Sequence, residues 1–148
     1  MSSYYTTRPA PIVTPLTRPF WDGCAEGKIR LQRCDDCARF RFFPTEACPD
    51  CRSTHFTWTD VSGRGRLFSW IVIHRSVDPV WQSKIPFVTG IVEIEEQPGC
   101  LIPGMISGVA PADVREGMPV QAEFERIDEM TVLPSWRARW RSASTAAR

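Results

Sequence analysis

Two Cys-x-x-Cys pairs, Cys34-Asp35-Asp36-Cys37 and Cys48-Pro49-Asp50-Cys51, constrain this chain more than anything else in it. Residues 38 to 47 lie between them. Pairs at this separation bring four thiolates within reach of one tetrahedral centre, and four sulfurs leave no open position for a water or a substrate. The metal such a cage holds is structural. Thiolates suit zinc or iron, and the short hairpin between the pairs is the zinc-ribbon arrangement of two knuckles on neighbouring turns. A single iron in a rubredoxin-type centre and a pair of disulfides are the alternatives the same spacing allows. The expectation is one structural zinc per chain, held by Cys34, Cys37, Cys48 and Cys51.

The remaining two cysteines, Cys24 and Cys100, read as ordinary buried small residues. No charged, apolar, small-residue leader opens the chain, and no apolar run approaches the roughly 18 to 20 residues of a membrane helix. Reduced cysteines used as ligands fit a cytoplasmic protein, which is the expectation. A net charge of +1 over 148 residues argues against a partner chosen by bulk electrostatics, since nucleic-acid binders usually carry a clear basic excess.

Residues 1–16 read as an extended arm, because Arg8-Pro9-Ala10-Pro11 and Thr14-Pro15 disfavour helix. Thr17 as N-cap, Pro19 in the first turn and Gly27 as the stop then frame a short helix with Phe20, Trp21 and Cys24 on one side. Lys28 to Arg33 alternates, placing Ile29 and Leu31 on one face and Lys28, Arg30 and Gln32 on the other. The hairpin repeats the pattern, with Phe40 and Phe42 opposing Arg39 and Arg41. Helix and ribbon together occupy 17–58.

Beyond the second knuckle the chain changes character. After the turn Ser62-Gly63-Arg64-Gly65, five segments rich in aromatic and β-branched residues are expected as strands: 67–74, 86–95, 100–106, 119–127 and 130–136. A helical turn at 113–117 falls between the third and fourth. Five short strands with a longer connection after the third match a five-stranded Greek-key barrel of the OB-fold type over 59–137, with an incomplete sandwich as the alternative. The fold class is therefore mainly β, an N-terminal helix and rubredoxin-like zinc ribbon followed by the barrel. The tail, 138–148, carries no assigned structure.

The order of these features resembles a known family. A helix carrying Phe20-Trp21, the four ribbon cysteines, Trp58, Ser62-Gly63-Arg64-Gly65, the strand running to His74, Ile85-Pro86-Phe87-Val88 and Gly117-Met118-Pro119-Val120 look like the zinc-ribbon plus OB-fold acyl-CoA-associated proteins, over roughly 17–137. The resemblance implies a small partner of thiolase-like enzymes (β-ketothiolases, acyltransferases or lipid-transfer-type aldolases) acting on acyl-CoA thioesters. Asp36 and Ala38 depart from the family pattern, in which a glycine often follows the second cysteine; that alters the knuckle's turn and leaves the ligands intact.

The residues themselves agree that the chain performs no chemistry alone. A thiolase needs a nucleophilic Cys with a His, and only His55 and His74 exist, neither in a recognisable catalytic setting. Candidate contacts to a coenzyme A phosphate are Arg64 and Arg66 in the glycine turn and His74 with Arg75 at a strand end, although such a turn is often just a solvated β-turn. Candidate partner contacts are Phe20, Trp21, Trp81, Trp136 and Trp140, aromatic anchors of the kind that dominate interfaces. Two functions stay open: a non-catalytic accessory subunit of a thiolase-fold complex that helps shape the acyl-CoA site, or a single-stranded nucleic-acid binder built on the barrel, against which the near-neutral charge weighs.

Overall fold

The computed structural model describes residues 8–139. Helix α1 (Arg18–Ala25) takes Pro19 in its first turn, where a missing N–H costs nothing. Thr17 does not cap it. Its backbone is already helical, and its hydroxyl turns back to accept from the Thr14 N–H at 3.0 Å. The Thr14 carbonyl meanwhile accepts from the N–H groups of Thr17 and Arg18, so the turn opens at Thr14 rather than at Thr17. Gly27 ends the helix as expected. At φ +74 it occupies the left-handed region, and the N–H groups of Gly27 and Lys28 close on the carbonyls of Cys24 and Gly23.

Three antiparallel strands make the ribbon's sheet, ordered β2-β1-β3: β1 (Ile29–Cys34), β2 (Phe40–Arg41) and β3 (Phe56–Val61). β3 pairs with the whole of β1, from Ile29 opposite Val61 to Cys34 opposite Phe56. It therefore crosses the boundary expected at 58/59 and carries the ribbon's sheet to Val61. Alternation along β1 and β2 misplaces two polar residues. Gln32 and Arg41 are buried, because the loop after β2 folds over that face: Gln32 Oε1 accepts from Arg41 Nε at 2.8 Å and from the Thr45 N–H at 2.9 Å. The Arg41 guanidinium also lies 5.0 Å from the centre of the Phe56 ring.

Five further strands close into a barrel in the order β4-β5-β6-β8-β7: β4 (Arg64–Ile73), β5 (Phe87–Ile94), β6 (Leu101–Ser107), β7 (Pro119–Arg126) and β8 (Val132–Ala138). This is the OB-type barrel expected, with a short helix α2 (Pro79–Gln82) between β4 and β5. The helical turn after β6 lies at Pro111–Asp113, earlier than the expected 113–117, because Pro111 starts it. A bulge between Leu67 and Ser69 lets β4 face two directions: Leu67 points into the barrel, while Phe68 beside it is about half exposed.

The barrel is filled by Leu67, Val88, Val92, Ile102, Ile106, Val120 and Trp136, each worth about 1.5 to 3 kcal/mol on full burial. Trp136, expected at an interface, is wholly buried instead. It sits between Ile106 on β6 and Ala122 on β7, and its indole passes so close to Gly104 that a Cβ there would stand 2.8 Å from Cδ1. Phe20, the second interface candidate, is also core: with Cys24 it joins the ribbon's Ile29 and Leu31 and the barrel in one apolar cluster. The expected tail begins one residue too early, since Ala138 is the buried last residue of β8; residues 1–7 of the arm and residues 140–148 of the tail, Trp140 among them, lie outside the described residues.

Candidate functional site

The four cysteines meet as their spacing requires. Their sulfurs all lie within 4.8 Å of one another, with Cys34 to Cys51 at 3.5 Å and Cys37 to Cys48 at 3.6 Å. Tetrahedral zinc with bonds of about 2.3 Å sets sulfurs about 3.8 Å apart, so the cage fits the ion. None of the six cysteines is in a disulfide. The two knuckles repeat one another bond for bond. In the first, Cys34 N–H donates to Arg39 and Ala38 N–H donates back to Cys34; in the second, Cys48 N–H donates to Ser53 and Arg52 N–H donates back to Cys48. Each knuckle therefore needs a left-handed residue after its second cysteine, and Ala38 (φ 61) and Arg52 (φ 63) take that conformation.

These turns aim backbone amides at the sulfurs. The Cys37 N–H pulls the Cys34 thiol down to about 6, and the Cys51 N–H lowers that of Cys48. Both effects favour a thiolate, whereas Cys37 and Cys51, despite the N–H groups of Arg39 and Ser53 that lower them, are raised by burial and by the neighbouring thiols. One structural zinc, four-coordinate and closed to substrate, is what this geometry holds. His55 is no ligand; exposed at the surface, its Nδ1 lies 3.8 Å from Asp36 Oδ2.

The expected coenzyme A contacts do not converge. Arg64 and Arg66 start β4, whereas His74 and Arg75 follow its last residue, Ile73, about 30 Å away at the usual strand rise. At the first end, Arg64 Nε is paired with Glu95 at 2.6 Å and Arg66 donates to the Gly117 carbonyl at 3.2 Å. Together with Arg139, they line a cavity of ≈ 330 Å³. His74 and Arg75 are exposed and line none of the cavities described here.

A larger groove, ≈ 570 Å³, opens where α1, the β4–β5 connection and the barrel wall meet. Its origin is topological. β6 and β8 run parallel and pair only at Ile106↔Trp136 and Ser107↔Arg137 among the described residues, so Pro103, Gly104 and Met105 of β6 diverge from Leu133 and Pro134 of β8. Trp21 and Trp81, both expected as partner contacts, line this groove half-buried, as does Phe87, whose ring centre is 5.2 Å from that of Trp81. Arg8 stacks over Trp81 at 4.9 Å, donates to Met105 Sδ at 2.9 Å and pairs with Glu125. Neither Arg8 nor the β6/β8 gap was among the expected site features. Prolines within both strands were the available signal, since proline sits where a ladder is interrupted.

Outside the ribbon the thiols are sequestered. Burial pushes Cys24 up to about 12 and Cys100 to about 11, and neither hydrogen-bonds to a histidine among the described residues. No helix among those residues is long and apolar enough to cross a membrane.

Comparison with known proteins separates the same two halves. Residues 21–57 match the ChsH2 rubredoxin-like zinc ribbon domain and residues 58–125 the ChsH2 C-terminal OB-fold domain. A DUF35 domain-containing scaffold protein of Methanocaldococcus jannaschii is 38% identical over 98 residues, 66% of this chain and 67% of that protein. A probable enoyl-CoA hydratase alpha subunit of Thermomonospora curvata is 28% identical over 130 residues, 88% of this chain; the chain spans 40% of that relative's length. Among solved structures, a chain of an Ltp2-ChsH2(DUF35) aldolase superposes with a TM-score of 0.77 at 27% identity, covering 86% of this chain and 98% of the other.

Proposed function

The chain belongs to the DUF35 family of ChsH2-type zinc-ribbon and OB-fold proteins, and from that premise we propose that it is a non-catalytic accessory subunit of an enzyme complex acting on acyl-CoA thioesters. The observation that carries this reading is the pairing of a closed metal site with sequestered thiols. Four thiolates leave the zinc no place for substrate, and Cys24 and Cys100, desolvated and without a histidine partner, are poor nucleophiles. Bond breaking then falls to a partner. Relatives named as a scaffold, as a hydratase subunit and as part of an aldolase support a role of this kind.

The partner we propose is a thiolase-fold enzyme of the cytoplasm, whose own Cys and His supply the chemistry of thiolysis, acyl transfer or retro-aldol cleavage. This chain helps shape the acyl-CoA site. In this reading Arg64 and Arg66, beside the ≈ 330 Å³ cavity, meet the phosphates of coenzyme A, while Trp21 and Trp81 border the partner or its substrate. Single-stranded nucleic acid is a weaker fit, because Trp136, one of the aromatics that would stack bases, is inside the barrel.

The test is co-purification of the tagged, zinc-loaded chain from its native host, with identification of whatever is bound. A thiolase-fold subunit in stoichiometric amount is the expected result. Recovery of nucleic acid, or of no enzyme of thioester chemistry, contradicts the reading.

A further inference from the structure

The two knuckles share one hydrogen-bond pattern, yet they are covered differently. Cys34 ends β1 with 1% of its surface exposed, and Cys37, between β1 and β2, is half-buried. In the second knuckle Cys48 is buried at 2%, but Cys51 is exposed, alone among the six cysteines. No strand follows it until Phe56, and Arg52, Thr54 and His55 beside it are exposed as well. Its sulfur lies 3.5 Å from that of Cys34. One sulfur that solvent reaches therefore abuts one that solvent does not. A cysteine that ligates a metal does so as the thiolate, which is also the form that oxidants attack. Among four ligating thiolates, access then decides which is attacked first.

We propose that Cys51 is a site of oxidative modification, at which a peroxide starts a Cys51–Cys34 disulfide that frees the zinc. The Cys51 sulfur attacks one oxygen of hydrogen peroxide. An S–O bond forms, the O–O bond breaks and hydroxide leaves, giving the sulfenic acid. Cys34, shielded from the oxidant and still a thiolate, then attacks the Cys51 sulfur. The S–S bond forms, the S–O bond breaks and a second hydroxide leaves. The two sulfurs together lose two electrons, and the peroxide gains them. The second knuckle, with no strand directly after it, makes the small movement this bond requires. Cys37 and Cys48 are then the ligands left, too few for a structural zinc site, so the oxidant is coupled to the fold of the ribbon. Cys24 and Cys100, 0% and 4% exposed, stay out of reach. This chemistry belongs to the ribbon and is independent of the accessory-subunit reading.

The test treats the full zinc-loaded chain with hydrogen peroxide. Zinc release is followed with a chromogenic chelator, sulfenic acid is captured with dimedone, and disulfides are mapped by mass spectrometry. About one zinc should be freed per peroxide consumed, with dimedone on Cys51 before any other cysteine. The disulfide should join the tryptic peptides 34–39 and 42–52 through Cys34 and Cys51. Reduction with a thiol in the presence of zinc should restore the cage. Cys51→His, which keeps a zinc ligand but removes the exposed sulfur, should slow release by about tenfold or more. Cys24→Ala should leave the rate unchanged. First labelling at another cysteine, a disulfide confined to Cys48 and Cys51, retention of zinc in excess peroxide, or undiminished release from zinc-loaded Cys51→His overturns the assignment. Where Cys51→His fails to hold zinc, the order of labelling in the unaltered chain decides: Cys51 first supports the assignment, and any other cysteine first overturns it.

Discussion

The ribbon and the barrel are both small β-sheets, but they are held by different forces. In the ribbon, β2 has two residues, and two of the side chains buried beside it, Gln32 and Arg41, are polar. Full apolar burial there comes from Ile29, Leu31 and what α1 lays over them, with Phe40, Phe42, Trp58 and Val61 only partly buried, so the metal cage must supply much of the stability. The barrel has strands of seven to ten residues and a continuous interior from Leu67 to Trp136. Small folds substitute a metal for a core when they are too small to build one. This chain does both within one molecule, with Phe20 and Cys24 as the joint.

The widest separation between the halves should come from removing zinc. A structural zinc contributes on the order of 10 kcal/mol or more at neutral pH, so chelation, or Cys34→Ser, should unfold 34–51 while the barrel persists. Hydrogen exchange read by mass spectrometry checks this: protection should vanish over 34–51, β2 included, and survive over β5 and β6. Next in size is the reverse experiment. Trp136→Ala removes the largest side chain of the barrel core and should cost about 3 to 5 kcal/mol, lowering the melting temperature without reducing bound zinc. Gln32→Leu is smaller, about 1 to 3 kcal/mol, because it strips the acceptor from both Arg41 and Thr45 inside the ribbon; it should weaken zinc retention against a competing chelator. Smallest, and opposite in sign, Ala38→Gly should stabilise the ribbon by about 1 kcal/mol or less, since glycine takes φ 61 freely.

How much of this could be read in advance differs between the halves for the same reason. Cysteine spacing is a local signal with one geometric solution, and the ligand set follows from it. The five barrel strands are likewise visible as β-rich segments between turn residues. Burial at Arg41, Gln32 and Trp136 is not, because each depends on what a distant segment does: the Thr45 loop folding onto β1, or Gly104 making room for an indole. Trp136 has the composition of an interface anchor, and only the strand order β6-β8-β7 turns it inward. The four candidate phosphate contacts fall into two separate pairs because β4, ten residues long, lies between them. The groove was hidden since it arises from two strands that are far apart in sequence and pair only briefly.

The central claim, that catalysis belongs to the partner, is tested most directly by measuring β-ketoacyl-CoA thiolysis with the zinc-loaded chain alone and in its native complex, each with and without Cys24→Ala and Cys100→Ala. Turnover confined to the complex, and largely unchanged by either substitution, is the predicted result. Turnover by the isolated chain that is lost when one of those cysteines is replaced would contradict it.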